Sequence, residues 1–205
     1  LSSFYQSFDP VIDSTKTFDS IYFHNIKNII YWNTLGYKKY NNDIPFYLTF
    51  GIEHNFSHHA GYYDLLTHER INQHNLSNLR ANAGIIINLF KSTRITGNAQ
   101  LITNGYHAGD FFIDGQWKQF LGTYKKNIGA LSFNVNLNRQ SADWFEESYY
   151  SNNFRWDNDF NPSTSLLLNA SYELPFIAIG IKHTTINNYI YLGPDVKPEQ
   201  YVGPF

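Results

Sequence analysis

The run Leu131-Ser132-Phe133-Asn134-Val135-Asn136-Leu137-Asn138 alternates apolar and polar residues without a break. A period of two sends Leu131, Phe133, Val135 and Leu137 to one face and Ser132, Asn134, Asn136 and Asn138 to the other. A helix of 3.6 residues per turn would scatter both sets around its circumference. The segment is therefore predicted to be a strand, and the fold that holds it must give its two faces different surroundings.

The same period recurs along the chain. In 46–57, Phe46, Leu48, Phe50, Ile52 and Phe56 oppose Tyr47, Thr49, Gly51, Glu53, Asn55 and Ser57. In 79–89, Leu79, Ala81, Ala83, Ile85, Ile87 and Leu89 oppose Arg80, Asn82, Gly84, Ile86 and Asn88. In 95–104, Ile95, Ala99 and Leu101 oppose Thr96, Asn98, Gln100 and Asn104, and later Ile177, Ile179 and Ile181 oppose Ala178, Gly180 and Lys182. About eight strands are predicted, near 26–39, 46–57, 76–90, 94–106, 111–121, 127–142, 164–174 and 176–190. Several reach the roughly 9–11 residues that a membrane-spanning strand needs, against ~5–6 for a strand in a soluble protein.

The connections tend to alternate short and long. Tyr40–Pro45, Lys91–Thr93, Gly122–Lys125 and Leu174-Pro175 are short; His58–Asn75, Asp143–Ser163 and the stretch after Tyr191 are long, and the brief His107–Asp110 breaks the trend. Short turns at one end and longer loops at the other mark an up-and-down outer-membrane barrel. The expected organisation is one all-β, antiparallel domain over 1–205. It has a loop-like lead-in at 1–25, strands over 26–190 and a loop at 191–205.

Composition fits this architecture. Aromatic residues make up 18% and charged residues 16%, against a usual charged share of about 25%. No segment approaches the ~20 apolar residues of a transmembrane helix. A transmembrane barrel is aromatic-rich yet polar on average, because only alternate residues meet lipid. A formal net charge of −2 gives no footprint for nucleic acid. The absence of cysteine excludes disulfide frameworks, thiolate metal sites and cysteine nucleophiles. The chain begins at Leu1, has no methionine and shows no signal-peptide pattern, so it reads as processed, trimmed or excerpted.

Two faces imply two sets of candidate residues. Glu53, Arg80, Asn82, Asn88, Asn98, Gln100, Asn134, Asn136 and Lys182 are candidates for a water-filled lumen. Amides cannot be buried dry without partners, and lumen charges tune which solutes pass; Glu53, Arg80 and Lys182 could equally form structural ion pairs. Leu48, Phe50, Ile85, Ile87, Leu131, Phe133, Val135, Leu137, Ile179 and Ile181 are candidates to face lipid. Tyr31, Trp32, Tyr106, Trp117, Tyr124, Trp144, Tyr172, Tyr189 and Tyr191 fall near strand ends, where amphipathic rings suit the membrane interface.

Catalytic and metal chemistry find little support. His54, His58, His59, His68 and His74 cluster in sequence, but their spacing matches no ligand motif. The carboxylates and aromatics of Asp143–Asp159, Trp144 and Trp156 among them, read as an acidic, aromatic loop at a barrel mouth rather than a glycosidase pair. No serine-hydrolase elbow, phosphate loop or zinc-protease motif occurs. The chain is expected not to be an enzyme and to need no cofactor.

Three segments carry a resemblance. These are Ser151-Asn152-Asn153-Phe154-Arg155-Trp156-Asp157-Asn158-Asp159-Phe160, then Asn187-Asn188-Tyr189-Ile190-Tyr191-Leu192-Gly193-Pro194-Asp195 with Pro198-Glu199-Gln200, and Gly105-Tyr106-His107-Ala108-Gly109-Asp110-Phe111. With the Tyr- and Asn-rich texture, they resemble the putative porins of Bacteroidota outer membranes. Members of that family are longer than this chain, so the resemblance implies a segment of a larger barrel, with Phe205 as a truncation point. It implies a bacterial outer-membrane location and passive diffusion of small hydrophilic solutes. The expected partners are the lipid bilayer and further strands of the same chain. The alternatives are a non-conducting surface scaffold, receptor or secretion component, and a soluble carbohydrate-binding β-domain.

Overall fold

The computed structural model describes residues 21–34, 46–61, 63–64, 69–70, 73–90, 92–123, 126–150 and 155–204. Nine long strands form one antiparallel sheet: β1 (Tyr22–Asn33), β2 (Phe46–Ala60), β5 (Gln73–Leu89), β6 (Thr93–Gly105), β7 (Phe111–Thr123), β8 (Lys126–Gln140), β11 (Ser163–Glu173), β12 (Ala178–Leu192) and β13 (Pro198–Pro204). They pair in chain order, each with its sequence neighbour in the sheet. Between β2 and β5 lies a minor hairpin, β3 (Tyr63–Asp64) with β4 (Glu69–Arg70); between β8 and β11 lie one helical turn, α1 (Trp144–Glu147), and the hairpin β9 (Ser148–Tyr150) with β10 (Arg155–Asp157). Among the described residues β1 and β13 remain the two edges, and the sheet does not close on itself. This is an open, up-and-down, partial barrel.

The alternating segments form strands because every second side chain finds the same neighbours along a rung. One rung aligns Phe50, Ala83, Ala99, Ile113, Leu137 and Leu166 across six strands. The next rung down begins at Leu48 and Ile85 and ends at Val135 and Leu168. A register slip of one residue would turn each of these outward sets inward, so the pattern pins the pairing.

Several boundaries differ from expectation. β1 starts at Tyr22, so part of the predicted lead-in is strand, while 35–39 lies outside the described residues. The predicted terminal loop at 191–205 holds a ninth strand, β13, joined to β12 by a tight turn in which Gly193 N–H donates to Lys197 O and Val196 N–H to Gly193 O. Pro198, Gly203 and Pro204 hide that strand from a pattern reading. Proline is tolerated there because Pro198 and Pro204 stand at the two ends of the strand. The long 143–163 connection is also structured: Asp143 caps α1 by accepting from Trp144 N–H, and Glu146 answers from the third position.

Few apolar side chains are buried. Ala60, Leu76, Ile102, Ala130 and Ala142 make up the buried apolar set among the described residues, and most are small. Glu53, Ser57, His59, Asn78, Asp110 and Ser132 are buried as well. The sheet thus curls towards its polar face and turns its apolar face outward.

Candidate functional site

The site is the polar face of the sheet, built rung by rung. Asn82 pairs with Gln100, which pairs with Phe112 and on to Asn138. One rung below, Gly84, Asn98, Asp114 and Asn136 align. The next carries Thr96, Gln116, Asn134, Asn169 and Lys182 across five strands. All nine residues named from sequence as lumen candidates fall on this face, and all ten named as lipid-facing fall on the other.

One polar assignment moves. A bulge between Leu79 and Arg80 opposes Asn104 to Leu79 and Ile102 to Arg80, with Thr103 as the extra residue. Asn104 therefore leaves the polar face, while Ile102 stays on it next to Gln100. Gly105 ends the bulged stretch at φ +113, and a Cβ there would lie 1.8 Å from Ser77 O. Only glycine fits that approach.

Glu53 and Glu173 on the polar face are paired with cations. Lys27 Nζ lies 3.0 Å and Arg80 Nη1 3.3 Å from the same Oε1 of Glu53. A carboxylate this buried needs such partners, since an isolated one would be costly. Lower on the wall Lys118 donates to Glu173 at 2.7 Å. Sequence reasoning singled out Glu53 and Arg80 but missed Lys27, Lys118 and Asp114. The signal was present in β7, where Asp114, Gln116 and Lys118 alternate with Ile113 and Trp117.

One end of the wall is covered by the connection between β8 and β11. Asp110 anchors its start, accepting from Ser141 N–H at 2.9 Å and from Ser141 Oγ at 2.7 Å. Arg139 and His107 lie near the same carboxylate at 3.9 and 3.5 Å. Phe145 packs on His59 of β2, and Trp144 on His74 of β5, with ring centroids 5.3 and 3.9 Å apart. The loop thus reaches back over the polar face to strands three and four places away. Tyr106 Oη donates to Glu147, and Trp156 Nε1 donates to Phe145 O while its ring stacks on Tyr149. The far side is held to β13, where Gln200 accepts from Asn161 N–H and donates to Asn161 O. Burial first, and the charge of Asp159 second, push the Glu147 carboxyl above its ordinary value near 4.5.

The histidines separate. His54 and His58 point to the apolar side and bond Ser77 Oγ and Asn75 Oδ1, whereas His59 and His74 face each other's strand on the polar side under α1. His68 lies outside the described residues. Among the described residues no three potential ligands gather into a metal site. Beneath the loop the polar face encloses a recess of about 620 Å³, bounded by Glu53, Asn55, Arg80, Gln100, Asn138 and Asp143 among others.

An amide-lined face, an apolar reverse side and a loop folded over one end are features shared with transmembrane β-barrel walls. The chain has no match among curated proteins or solved structures. A family model described as "Putative porin" covers residues 2–205, and the chain belongs to that family.

Proposed function

We propose that this chain forms part of the wall of an outer-membrane pore through which small hydrophilic solutes diffuse passively. The observation that carries the reading is the inversion of polarity across the sheet. Ile181 is 74% exposed and Ile52 60%, whereas Glu53 is 4% exposed. Water would penalise that apolar surface, and an exposed apolar band of this extent marks a lipid or partner surface. The outward positions of β5 run apolar from Leu79 to Leu89, about 33 Å along the strand at ~3.3 Å per residue. At the ~40° tilt usual for such barrels this is roughly 25 Å, the height of their apolar band.

Open strand edges in hydrocarbon leave backbone groups unsatisfied, at several kcal/mol each. The proposal therefore pairs β1 and β13 with further strands of the same polypeptide in the membrane. The short turns face the periplasm and the 141–162 side faces the exterior. Transport in this reading needs neither catalysis nor a cofactor.

Reconstitution of the full-length protein in planar bilayers tests it. Stepwise ion conductance is the expected result; insertion without conductance would refute the pore. Folding to a monodisperse state in buffer without detergent would refute the membrane assignment and favour a soluble β-domain. The inward-folded loop supports a second reading, a non-conducting surface scaffold, in which the loop occludes the lumen. In that case the intact protein inserts without conducting, and deletion of the loop uncovers a current.

A further inference from the structure

The recess under the 141–162 loop carries more than a passive wall requires. Its charged groups are all engaged. Glu53 is neutralised by Lys27 and Arg80; Asp110 is tied to Ser141, with Arg139 near; Asp143 caps α1. Asn55 Oδ1 and His59 Nδ1 are buried without a hydrogen-bond partner, and Glu53 Oε1 is held by its two ion pairs alone. Among the described residues the side-chain amides of Gln100, Asn138 and Gln140, which border the same recess, bond no protein group. A buried polar atom without a partner needs either water or a ligand.

Amides both donate and accept, so a cluster of them matches hydroxyl groups, which do the same. Phe23, Phe111 and Phe112 border the recess too and offer apolar surface to the C–H faces of a sugar ring. A volume of about 620 Å³ lies inside the ~300–1,000 Å³ usual for small-molecule sites. With its charges cancelled, the recess holds no fixed net charge that would favour an ion over a neutral solute.

We propose that this recess is a binding station for an uncharged, polyhydroxylated solute of mono- to disaccharide size, entered from the loop-covered mouth. The proposal rests on the pore reading for its role in transport, but not for binding itself. Maltose is the probe. In planar bilayers the full-length protein should show a saturable fall in ion current as maltose is added. In the double variant Asn55→Ala, Asn138→Ala, roughly tenfold more maltose should be needed for the same fractional block of that variant's own current. A channel whose current ignores maltose, or whose block is the same in the double variant, overturns the proposal. Calorimetric titration of the detergent-folded wild-type protein with maltose separates the two claims. Heat of binding from a protein that never conducts would sink the pore and keep the recess. Conductance without heat would keep the pore and sink the recess.

Discussion

The two faces of the sheet share every strand and every backbone hydrogen bond, yet they relate polarity to burial in opposite ways. On the outer face the rung through Phe50, Ala83 and Ile113 is apolar, and Phe50 and Ile113 are both nearly half exposed. On the inner face, Glu53, Asn78 and Ser132 are polar and buried. A soluble sheet does the reverse, because apolar burial drives its folding. On the proposed pore reading this difference is accounted for by lipid, rather than water, against the outer face. The inner face is held together by paired charges and a folded loop rather than by an apolar core.

A charge placed on each face should separate them most strongly. Ile85→Arg is expected to cost about 2–4 kcal/mol of folding free energy in lipid bilayers, measured by denaturant titration. Asn98→Arg, one residue further along its rung partner but on the polar face, should cost less than about 1 kcal/mol. Equal costs would abolish the contrast between the faces.

The inner face can be challenged through its ion pairs. Glu53→Ala leaves Lys27 and Arg80 facing one another without their shared carboxylate. Both cations are partly exposed, so a loss of about 1–3 kcal/mol is expected in the same titration rather than the larger figure for a fully buried pair. No loss would mean that the cluster is held by water alone.

Asp110→Ala should act on the loop more than on the sheet. It removes the acceptor for Ser141 N–H and Oγ, about 1–2 kcal/mol of local anchoring. Faster limited proteolysis within 141–162, with the strands still protected, is the outcome that sharpens the distinction between wall and cover.

The smallest effect is one of pH. The Glu147 carboxyl is raised above its ordinary value near 4.5, chiefly by burial. Its contribution to the docked loop is therefore fully present below that ordinary value and is lost as pH rises through the raised one. Tryptophan emission should report a looser loop at pH ~7 than at pH ~4.5, and Glu147→Gln should flatten that component. A variant with an unchanged profile would remove Glu147 from the account.

Much of the wall was legible without coordinates. β8 could be read residue by residue, since Leu131–Asn138 alternates without interruption, but its register with β11 came only from the structure. The residues Asn82, Asn98, Gln100 and Asn136 could be assigned a common face because a strand has only two. Asn104 could not be placed, because the bulge at Thr103 shifts the period by one and leaves no mark in the residue types. β13 was invisible for another reason: Pro198 and Pro204 signal a loop, although they stand only at the two ends of a short strand.

The sequence by itself determined a period-two chain with one apolar and one polar side, long enough strands to cross a bilayer, and short turns at one end. Those properties are local, set by side-chain alternation within ten or so residues. Only the tertiary structure decided that Lys27, Glu53 and Arg80 meet, that α1 lies on His59 and His74, and that the recess beneath keeps neutral amides uncommitted. Glu53 and Arg80 meet because their strands pair in that register, with Lys27 beside them on β1. Curvature, which sequence periodicity does not encode, brings α1 over His59 and His74 three and four strands away.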